Sequence, residues 1–339
     1  MILILSTSGE YTTDIVIDWL DAKQQPWIRI NDDDIAASHE IVVTEGVCEE
    51  PATGTGGQPG GFTVNGEWVA LESIKTVWFR KYGFYSTEHL IKKLETSYGV
   101  DTAIHLQSEY TAFARAFAGA FDHGVKWLTD PSVLPINKIT TLRLAKSLGL
   151  DVPRTLLTNS KAQVEAFVAQ VGPVITKCTR DMFGIKSRVD EATNTTYYFT
   201  MYTQLLTAEI ITQLPAYFLP STIQEYIDKA FEIRCFYLDG AVYSMAIFSQ
   251  DHERTKLDFR KYDVHKPNRM VPFVLPAEVS DKLCQLMTRL GLNTGSIDFM
   301  VSASGKYYFL EVNPTGQFGF LSTACNYGLE EKVADYLMR

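Results

Sequence analysis

The order of apolar and polar positions predicts that the chain opens as an α/β unit. Residues 2–5 form an apolar run, residues 12–20 carry apolar side chains at helical spacing, and residues 27–30 form a second apolar run. Strand, helix and strand in this order are typical of a parallel, doubly wound sheet. The turn at residues 6–10 lacks the GxGxxG pattern, which argues against a dinucleotide fingerprint and against NAD.

The next part of the pattern places two cations at the end of a strand. Residues 76–79 form an apolar run that is followed directly by Arg80 and Lys81. Ligands of open α/β sheets bind at the carboxyl ends of the strands, so the pair is a candidate anion site. A pair of solvated surface cations is the alternative. Residues 86–123 then show helical spacing with an aromatic stripe, which predicts packing in a core or in a dimer seam.

A change in composition near residue 130, where Pro131 and Pro135 interrupt the connection, predicts a domain boundary. Beyond it, hairpins and helices are mixed, as in an α+β domain. The pattern predicts helices at residues 137–148, 161–170, 202–214 and 276–290 and hairpins at residues 186–199 and 231–249. The predicted organisation is an α/β domain at residues 1–130, followed by two α+β lobes at residues 131–222 and 223–339.

The last predicted hairpin carries three oxygen ligands. Asp298 lies on its first strand, and Glu311 and Asn313 lie on its second, two residues apart. Alternation along a strand places Glu311 and Asn313 on one face and turns Leu310 and Val312 to the other. Oxygen ligands of mixed charge suit Mg²⁺, which keeps several waters and is often completed by substrate phosphates. A hairpin with a solvated polar face is the alternative.

Composition narrows the class of protein. The chain has 339 residues, of which 46% are hydrophobic, so it can bury a sizeable core. Its net charge of −9 gives no overall attraction to nucleic acid or to an anionic membrane. The five cysteines are scattered without a CxxC pair, which predicts reduced thiols. The first apolar run stops at Ser6, too early for a signal peptide, so we expect a cytoplasmic protein.

Several of these features together resemble the ATP-grasp superfamily of carboxylate-activating ligases, from about residue 134 to the C terminus. The residues that carry the resemblance are Lys138, Lys177, Gln224, Glu225, Tyr226, Ile227, Arg234, Arg260, Asp298, Glu311 and Asn313. The resemblance implies an ATP-grasp fold of α/β and α+β class, with an N-terminal doubly wound domain that precedes the ATP-grasp lobes. It also implies that ATP binds between the two lobes.

The resemblance implies a role in ATP binding for each of these positions. Lys138 and Lys177 would act as point charges on the phosphates. The backbone of residues 224–227 would read adenine, and Asp228 would meet the ribose. Many superfamily members have a glycine-rich loop after the second lysine, whereas residues 178–184 contain only one glycine. Arg180 would then serve as an additional phosphate cation, with a surface arginine as the alternative.

The resemblance also implies the catalytic groups. Asp298, Glu311 and Asn313 would hold Mg²⁺, which bridges the β- and γ-phosphates and neutralises their charge. Arg234 and Arg260 have planar guanidinium groups that suit a bidentate hold on phosphate or carboxylate. They would stabilise an acyl phosphate and the oxyanion that forms when a nucleophile attacks it.

Four segments resemble one subgroup of the superfamily, the graspetide ligases of the microviridin and grasp-with-spasm types. These are residues 1–8, 77–81, 258–260 and 309–317. The subgroup implies a ligase that activates Asp or Glu side chains of a ribosomally made precursor peptide. It then closes ω-ester or ω-amide macrocycles with Ser, Thr or Lys side chains.

The same resemblance implies a peptide partner with a leader and a core. The leader would bind near the hairpin at residues 186–199 and the helix at residues 202–214. Arg80 and Lys81 would face the carboxylates of the core. We expect a homodimer through the aromatic stripe, and neither a nucleic acid nor a membrane as partner.

Other activities stay open at this point. An ATP-grasp ligase could add a free amino acid to a protein or a small acid. An ATP-grasp phosphotransferase would stop at phosphate transfer to a hydroxyl, and a nucleotide-binding protein would show no turnover. The products distinguish them, because a macrocyclase removes water from its peptide, whereas a phosphotransferase leaves phosphate attached.

Overall fold

A computed structural model describes most of the chain. The described residues are 1–32, 41–42, 60–83, 95–121, 124–179, 185–190, 195–199, 202–251, 256–258, 261 and 265–339. None of the helices in these ranges combines the length and the apolarity that crossing a bilayer requires. Cys178, Cys235, Cys284 and Cys325 are free thiols.

Strands and helices alternate at first and then give way to hairpins. The strands are β1 (Ile2–Ser6), β2 (Trp27–Asn31), β3 (Ile41–Val42), β4 (Gly61–Val64), β5 (Glu67–Ala70), β6 (Thr76–Phe79), β7 (Lys126–Leu128), β8 (Thr155–Ser160), β9 (Val174–Lys177), β10 (Ile185–Asp190), β11 (Thr195–Phe199), β12 (Gln204–Leu206), β13 (Tyr217–Glu225), β14 (Lys229–Leu238), β15 (Ala241–Phe248), β16 (Arg269–Phe273), β17 (Thr294–Ser302) and β18 (Tyr307–Asn313). The helices are α1 (Tyr11–Ala22), α2 (Val100–Gly119), α3 (Lys138–Ser147), α4 (Lys161–Val171), α5 (Ala208–Gln213), α6 (Ala277–Arg289), α7 (Gly319–Cys325) and α8 (Leu329–Met338). Short 3₁₀ turns lie at Leu71–Ser73, Pro131–Val133 and Ser249–Asp251.

The first of two compact units contains Met1–Pro135, Gly291–Gly295 and Pro314–Arg339. Its main sheet is parallel, with the strand order β2-β1-β6-β7, as predicted for a doubly wound sheet. All five residues of β1 are buried, which explains why its first four residues form a continuous apolar run. A smaller antiparallel sheet contains β3, β4 and β5.

The C-terminal helix α8 completes this first unit. It packs against α1 and β6, and its Val333 and Leu337 side chains are buried. The Lys23 ammonium at the end of α1 lies 3.0 Å from carboxylate oxygens of both Glu331 and Asp335. The first unit therefore contains segments from both ends of the chain.

The second unit contains Ile136–Leu290 and Ser296–Asn313. It has a four-stranded antiparallel sheet in the order β12-β9-β13-β8 and a five-stranded sheet in the order β16-β15-β14-β17-β18. A hairpin of β10 and β11 is a separate two-stranded sheet. In the five-stranded sheet, Phe299 and Phe309 are fully buried and pack edge to face with their ring centroids 5.6 Å apart.

Most predicted elements of this unit are present, with one clear error. The turn of the β14–β15 hairpin has Asp239 and Gly240 at φ of 47° and 92°, as the Asp-Gly sequence predicts. The prediction of a helix at residues 202–214 was wrong for its first part. Residues 204–206 pair with β9 instead, and the Thr207 hydroxyl accepts a hydrogen bond from Ile210 N at the start of α5. Strand pairing has overridden helical spacing there.

Candidate functional site

The three predicted metal ligands lie on one hairpin of the second unit. Asp298 on β17 is directly opposite Glu311 on β18, and Ser296 is opposite Asn313. Asp298 and Glu311 keep 18% and 23% of their side-chain surface exposed, so they lie on the open face of the sheet. Because Asn313 follows Glu311 by two residues, alternation places its side chain on that face as well.

A β-bulge changes one prediction for this hairpin. Asp298 pairs with Glu311, and the next residue, Phe299, pairs with Phe309. Leu310 therefore has no partner in the register and is the extra residue of the bulge. Phe309 and Val312 are both buried, whereas Leu310 lines an apolar pocket together with Met300. The prediction that Leu310 and Val312 share a face was wrong, because the bulge shifts the alternation by one residue.

The Arg234 guanidinium is held by one of these carboxylates. Arg234 lies on β14, the neighbour of β17, and its Nη1 is 3.0 Å from Asp298 Oδ1 and 2.9 Å from Asp298 Oδ2. Only 10% of the Arg234 side chain is exposed. A charge-assisted contact in such a partly buried place is stronger than one between surface groups. Arg234 is thus within reach of the predicted metal site.

Lys138 contacts the other carboxylate. It is the first residue of α3, and the Asn137 side chain caps this helix by accepting hydrogen bonds from Ile139 N (3.0 Å) and Thr140 N (3.1 Å). The Lys138 ammonium lies 2.8 Å from Glu311 Oε2. The cap therefore fixes the first turn of α3, which places Lys138 beside Glu311.

Replacing Asn137 with alanine is expected to lower the free energy of unfolding by about 1 kcal/mol, because two backbone N–H groups lose their acceptor. We also expect weaker ADP binding, because Lys138 follows the cap directly. Urea unfolding and ADP titration measure the two effects. Thr207→Ala removes the cap of α5 and should cost similar stability without changing ADP affinity. An Asn137→Ala variant with wild-type stability would contradict the role of the cap.

The residues around the hairpin fit magnesium only together with other oxygen ligands. Asp298, Glu311 and Asn313 provide two carboxylates and an amide oxygen, the donor set of a hard cation. Within the described ranges, His, Cys, Asp and Glu side chains do not form any group of three or more that is placed to hold a metal. The site is therefore suited to an ion whose remaining ligands are water and phosphate.

An apolar pocket lies beside the predicted adenine strand. Its walls include residues 224–227, the side chains of Ile175 and Met300, and Leu310 at the bulge. The amides of Glu225 and Tyr226 donate at 2.9 Å to the carbonyl groups of Arg154 and Pro173, which directly precede β8 and β9, so these two amides already have acceptors. Apolar walls beside backbone polar groups are typical of a site for a planar base.

The other predicted nucleotide residues are placed less directly. Lys177 is the last residue of β9, opposite Thr222 on β13. Asp228 follows the pocket strand, and its carbonyl group accepts a hydrogen bond from Ala303 N at 3.1 Å. Arg180 and Arg260 lie outside the described residues.

Sequence reasoning missed a buried ion pair beside the pocket. Lys229 lines the pocket, and its ammonium lies 2.5 Å from Glu232 Oε1. Burial raises the pKa of Glu232, while Lys229 acts in the opposite direction. Glu232 precedes Arg234 by two residues and therefore shares its face of β14. The signal was visible as three charges, at residues 229, 232 and 234, in an otherwise apolar strand.

Arg80 and Lys81 meet a buried carboxylate in the first unit. Glu10 Oε1 lies 3.3 Å from Arg80 Nη2 and 3.2 Å from the Lys81 ammonium. Arg80 Nη1 also donates to the carbonyl groups of Thr315 (2.9 Å) and Gly316 (3.0 Å). The exposed fractions of the Arg80 and Lys81 side chains are 4% and 14%, so neither is a solvated surface cation.

Gln317 completes this group, which we name the Glu10 cluster: Glu10, Arg80, Lys81 and Gln317. Gln317 Nε2 donates to Glu10 Oε1 at 2.8 Å, and Gln317 Oε1 accepts from Arg80 Nη2 at 3.0 Å. Lys81 has a φ of 62°, an unusual value for a residue other than glycine. The cluster therefore fixes residues 315–317 to the carboxyl end of β6.

The Glu10 cluster predicts a specific loss of stability in acid. Burial alone raises the pKa of Glu10, but Arg80, Thr13, Lys81 and Gln317 outweigh it and lower the pKa from 4.5 to about 2. A carboxyl group with a lowered pKa contributes stability above pH 4.5, and this contribution disappears as the pH falls from 4.5 towards 2. The shift corresponds to roughly 3 kcal/mol.

Glu10→Gln should therefore flatten the fall in the free energy of unfolding over this pH range, as measured by urea unfolding at several pH values. Equal slopes for the variant and the wild type would contradict the assignment. Glu331→Gln, which changes an exposed carboxylate in the same unit, is the matched control.

Comparisons with known proteins concern the fold. Among the solved structures that match nearly the whole chain are the following three. Macrocyclase MdnC from Microcystis aeruginosa MRC, bound with precursor peptide MdnA, is 25% identical with a TM-score of 0.80, over 100% of this chain and 99% of that one. A RiPP-associated ATP-grasp ligase from Chryseobacterium gregarium, in complex with ADP and a leader and core peptide, is 23% identical with a TM-score of 0.81, over 99% and 96%. ATP-grasp ligase PsnB, complexed with a minimal precursor, Mg and ADP, is 19% identical with a TM-score of 0.74, over 99% and 96%.

No curated protein sequence matches the chain. The match to a domain family covers residues 136–337, more than half of the chain, and the family is the RimK-like ATP-grasp domain. This range contains the sheets of the second unit and the predicted magnesium hairpin. The predicted fold is thus confirmed: the chain belongs to the RimK-like ATP-grasp family and is an ATP-grasp ligase.

Proposed function

We propose that the protein is a peptide macrocyclase that acts on a ribosomally made precursor. It activates Asp or Glu side chains of the peptide as acyl phosphates and closes ω-ester or ω-amide rings with Ser, Thr or Lys side chains. The observation that carries this proposal is the match along 100% of the chain to a macrocyclase bound with its precursor peptide. The match includes the N-terminal unit as well as the ATP-grasp lobes.

ATP-grasp enzymes use ATP, and we propose a contact in the second unit for each part of it. The apolar pocket beside residues 224–227 would take the adenine, and Asp228 the ribose. Lys138 and Lys177 would contact the phosphates, with Arg180 as a further cation. Magnesium, held by Asp298, Glu311 and Asn313, would neutralise charge on the β- and γ-phosphates.

The proposed reaction has two steps. In the first, a carboxylate oxygen of the peptide attacks the γ-phosphorus, and the bond to the bridging oxygen breaks, which gives an acyl phosphate and ADP. In the second, a hydroxyl or amine of the same peptide attacks the acyl carbon. Phosphate leaves with the bonding electrons and the nucleophile loses its proton, so the peptide loses one water for each ring.

Arg234 and Arg260 would stabilise the charges that develop in these steps. Arg234 already lies within 3.0 Å of a carboxylate in the site, which supports a role in holding carboxylate or phosphate. Preorganised donors of this kind typically contribute a factor of about 10² to 10³ in rate.

We propose two contact regions for the peptide partner. The leader would bind near the β10–β11 hairpin and α5. We propose that Lys81 meets the core carboxylates, because its side chain is more exposed than that of Arg80, which is bonded to the carbonyl groups of Thr315 and Gly316. Arg80 would contribute by holding residues 315–316 in place.

A homodimer is also part of the proposal. On α2, Phe117 is buried, but Val100, Ile104 and Phe113 expose 54%, 57% and 40% of their surface. Val100 and Ile104 are about one helical turn apart and share a face, which suits contact with a second copy, whereas Phe113 lies on the opposite side of the helix.

The test is the intact mass of short peptides encoded beside this gene after incubation with the protein, ATP and Mg²⁺. Loss of whole waters, absent with Glu311→Ala, is the expected result. Fragmentation would then locate the rings and distinguish ester from amide. A gain of phosphate would indicate a phosphotransferase, and a gain of an amino-acid residue would indicate a ligase for free amino acids. Either gain would overturn the macrocyclase proposal.

A further inference from the structure

In the second unit, each predicted metal ligand that is a carboxylate is paired with a predicted phosphate-binding cation. Arg234 Nη1 lies 2.9 Å from Asp298 Oδ2, and Lys138 Nζ lies 2.8 Å from Glu311 Oε2. All four side chains are at most 23% exposed. Solvent therefore screens these pairs less than it screens surface pairs.

The cations offset a repulsion that the hairpin creates. Asp298 and Glu311 are directly opposite each other, and like charges in this arrangement destabilise a sheet. Arg234 and Lys138 bring the sum of the four charges to zero. As long as the two cations neutralise the carboxylates, their charge therefore attracts phosphate less strongly.

We propose that Arg234 and Lys138 act as internal counter-ions of the metal ligands and move to the nucleotide phosphates only when a divalent cation replaces them. The inference rests on the proposed nucleotide site and adds that nucleotide binding and metal binding depend on each other. Nucleotide alone must compete with Asp298 and Glu311 for the two cations. A divalent cation alone must displace Arg234 and Lys138 from the carboxylates when no phosphate is present to pair with them. Only the two together leave every charge paired, so the protein binds the metal–nucleotide complex in preference to either part.

The decisive quantity is the metal affinity of the nucleotide-free protein. Metal also binds ADP in solution, so coupling in the presence of both ligands would not be specific to these residues. Lys138→Gln removes the competitor for Glu311. If Lys138 is a counter-ion, the variant should bind metal more tightly without nucleotide, although it should bind ADP more weakly in EDTA. A lysine that only contacts phosphate would weaken ADP binding and leave metal affinity unchanged.

The experiment titrates Mn²⁺, observed by its electron paramagnetic resonance signal, into the full chain without nucleotide, and ADP into the same protein in EDTA. We expect Lys138→Gln to tighten Mn²⁺ binding at least about fivefold, the lower end of usual coupling between sites. Lys138→Arg, which keeps the charge, should stay near the wild type. Lys306→Gln is the matched control, because it removes the same charge from an exposed pair next to β18. In this pair the Lys306 ammonium lies 2.8 Å from Asp151 Oδ1.

Unchanged or weaker Mn²⁺ binding by folded Lys138→Gln would overturn the proposal, as would equal tightening by Lys306→Gln. Arg234→Gln, which frees Asp298 in the same way, gives an independent repeat if Lys138→Gln does not fold. These measurements use no peptide. Failure of the macrocyclase proposal in the mass experiment would therefore be distinguishable from failure of this one.

Discussion

Asp298→Asn is expected to lower the rate at which ADP is formed in the presence of precursor peptide by about 10²- to 10³-fold. This is the usual effect of losing one preorganised charge contact in a reaction centre. The substitution keeps the size of the side chain but removes the charge that contacts Arg234 and that would hold magnesium. A coupled assay for ADP, together with the intact mass of the peptide, measures the loss. The mass distinguishes slow cyclisation from uncoupled hydrolysis of ATP.

Asp151→Asn is the matched control for this prediction. Asp151 also forms an ion pair in the second unit, with Lys306 at 2.8 Å, but this pair is exposed and outside the site. Exposed pairs contribute little, so the control should keep nearly full activity and stability. If Asp298→Asn were as active as Asp151→Asn, the hairpin would not be the metal site.

Arg80→Met is expected to lower the free energy of unfolding by about 3–5 kcal/mol, because removal of one partner leaves the other charge buried. Glu10 would keep only Lys81 as a counter-charge, and the carbonyl groups of Thr315 and Gly316 would lose their donor. Urea unfolding of the full chain measures the change. A loss of this size would mark Arg80 as a residue that holds the first unit together.

Two further variants separate the parts of this effect. Lys81→Met should cost less, because Arg80 stays beside Glu10. Glu10→Gln combined with Arg80→Met should cost less stability than the sum of the two single changes, because the Glu10–Arg80 pair can be lost only once. Simple additivity of the two single changes would contradict a charge-based origin.

The placement of the three predicted metal ligands on one hairpin could be predicted from sequence, because its determinants are local. Asp298 and Glu311 are 13 residues apart in a hairpin, and alternation along short strands decides which side chains share a face. The bulge at Leu310 was not predictable in this way, since nothing in the alternation of apolar residues marks where an extra residue is placed.

Long-range pairs set the limit of the sequence analysis. Glu10 meets Arg80 and Gln317 from positions 70 and 307 residues away, and Lys138 meets Glu311 across 173 residues. Periodicity reports only which face of an element is buried. The sequence could therefore indicate that Lys138 and Glu311 belong to one nucleotide site, but only through family resemblance, and it gave no sign that they contact each other.

The mixed origin of the first unit has a consequence for biosynthesis. The unit draws on Met1–Pro135 and on Pro314–Arg339, and α8 packs on α1 and β6. A ribosome that has just released β6 has therefore made only part of this unit, whereas every strand of the second unit is complete once residue 313 has left the exit tunnel. We expect the N-terminal sheet to become stable only after α8 has packed on α1 and β6, and therefore not before the strands of the second unit have been synthesised.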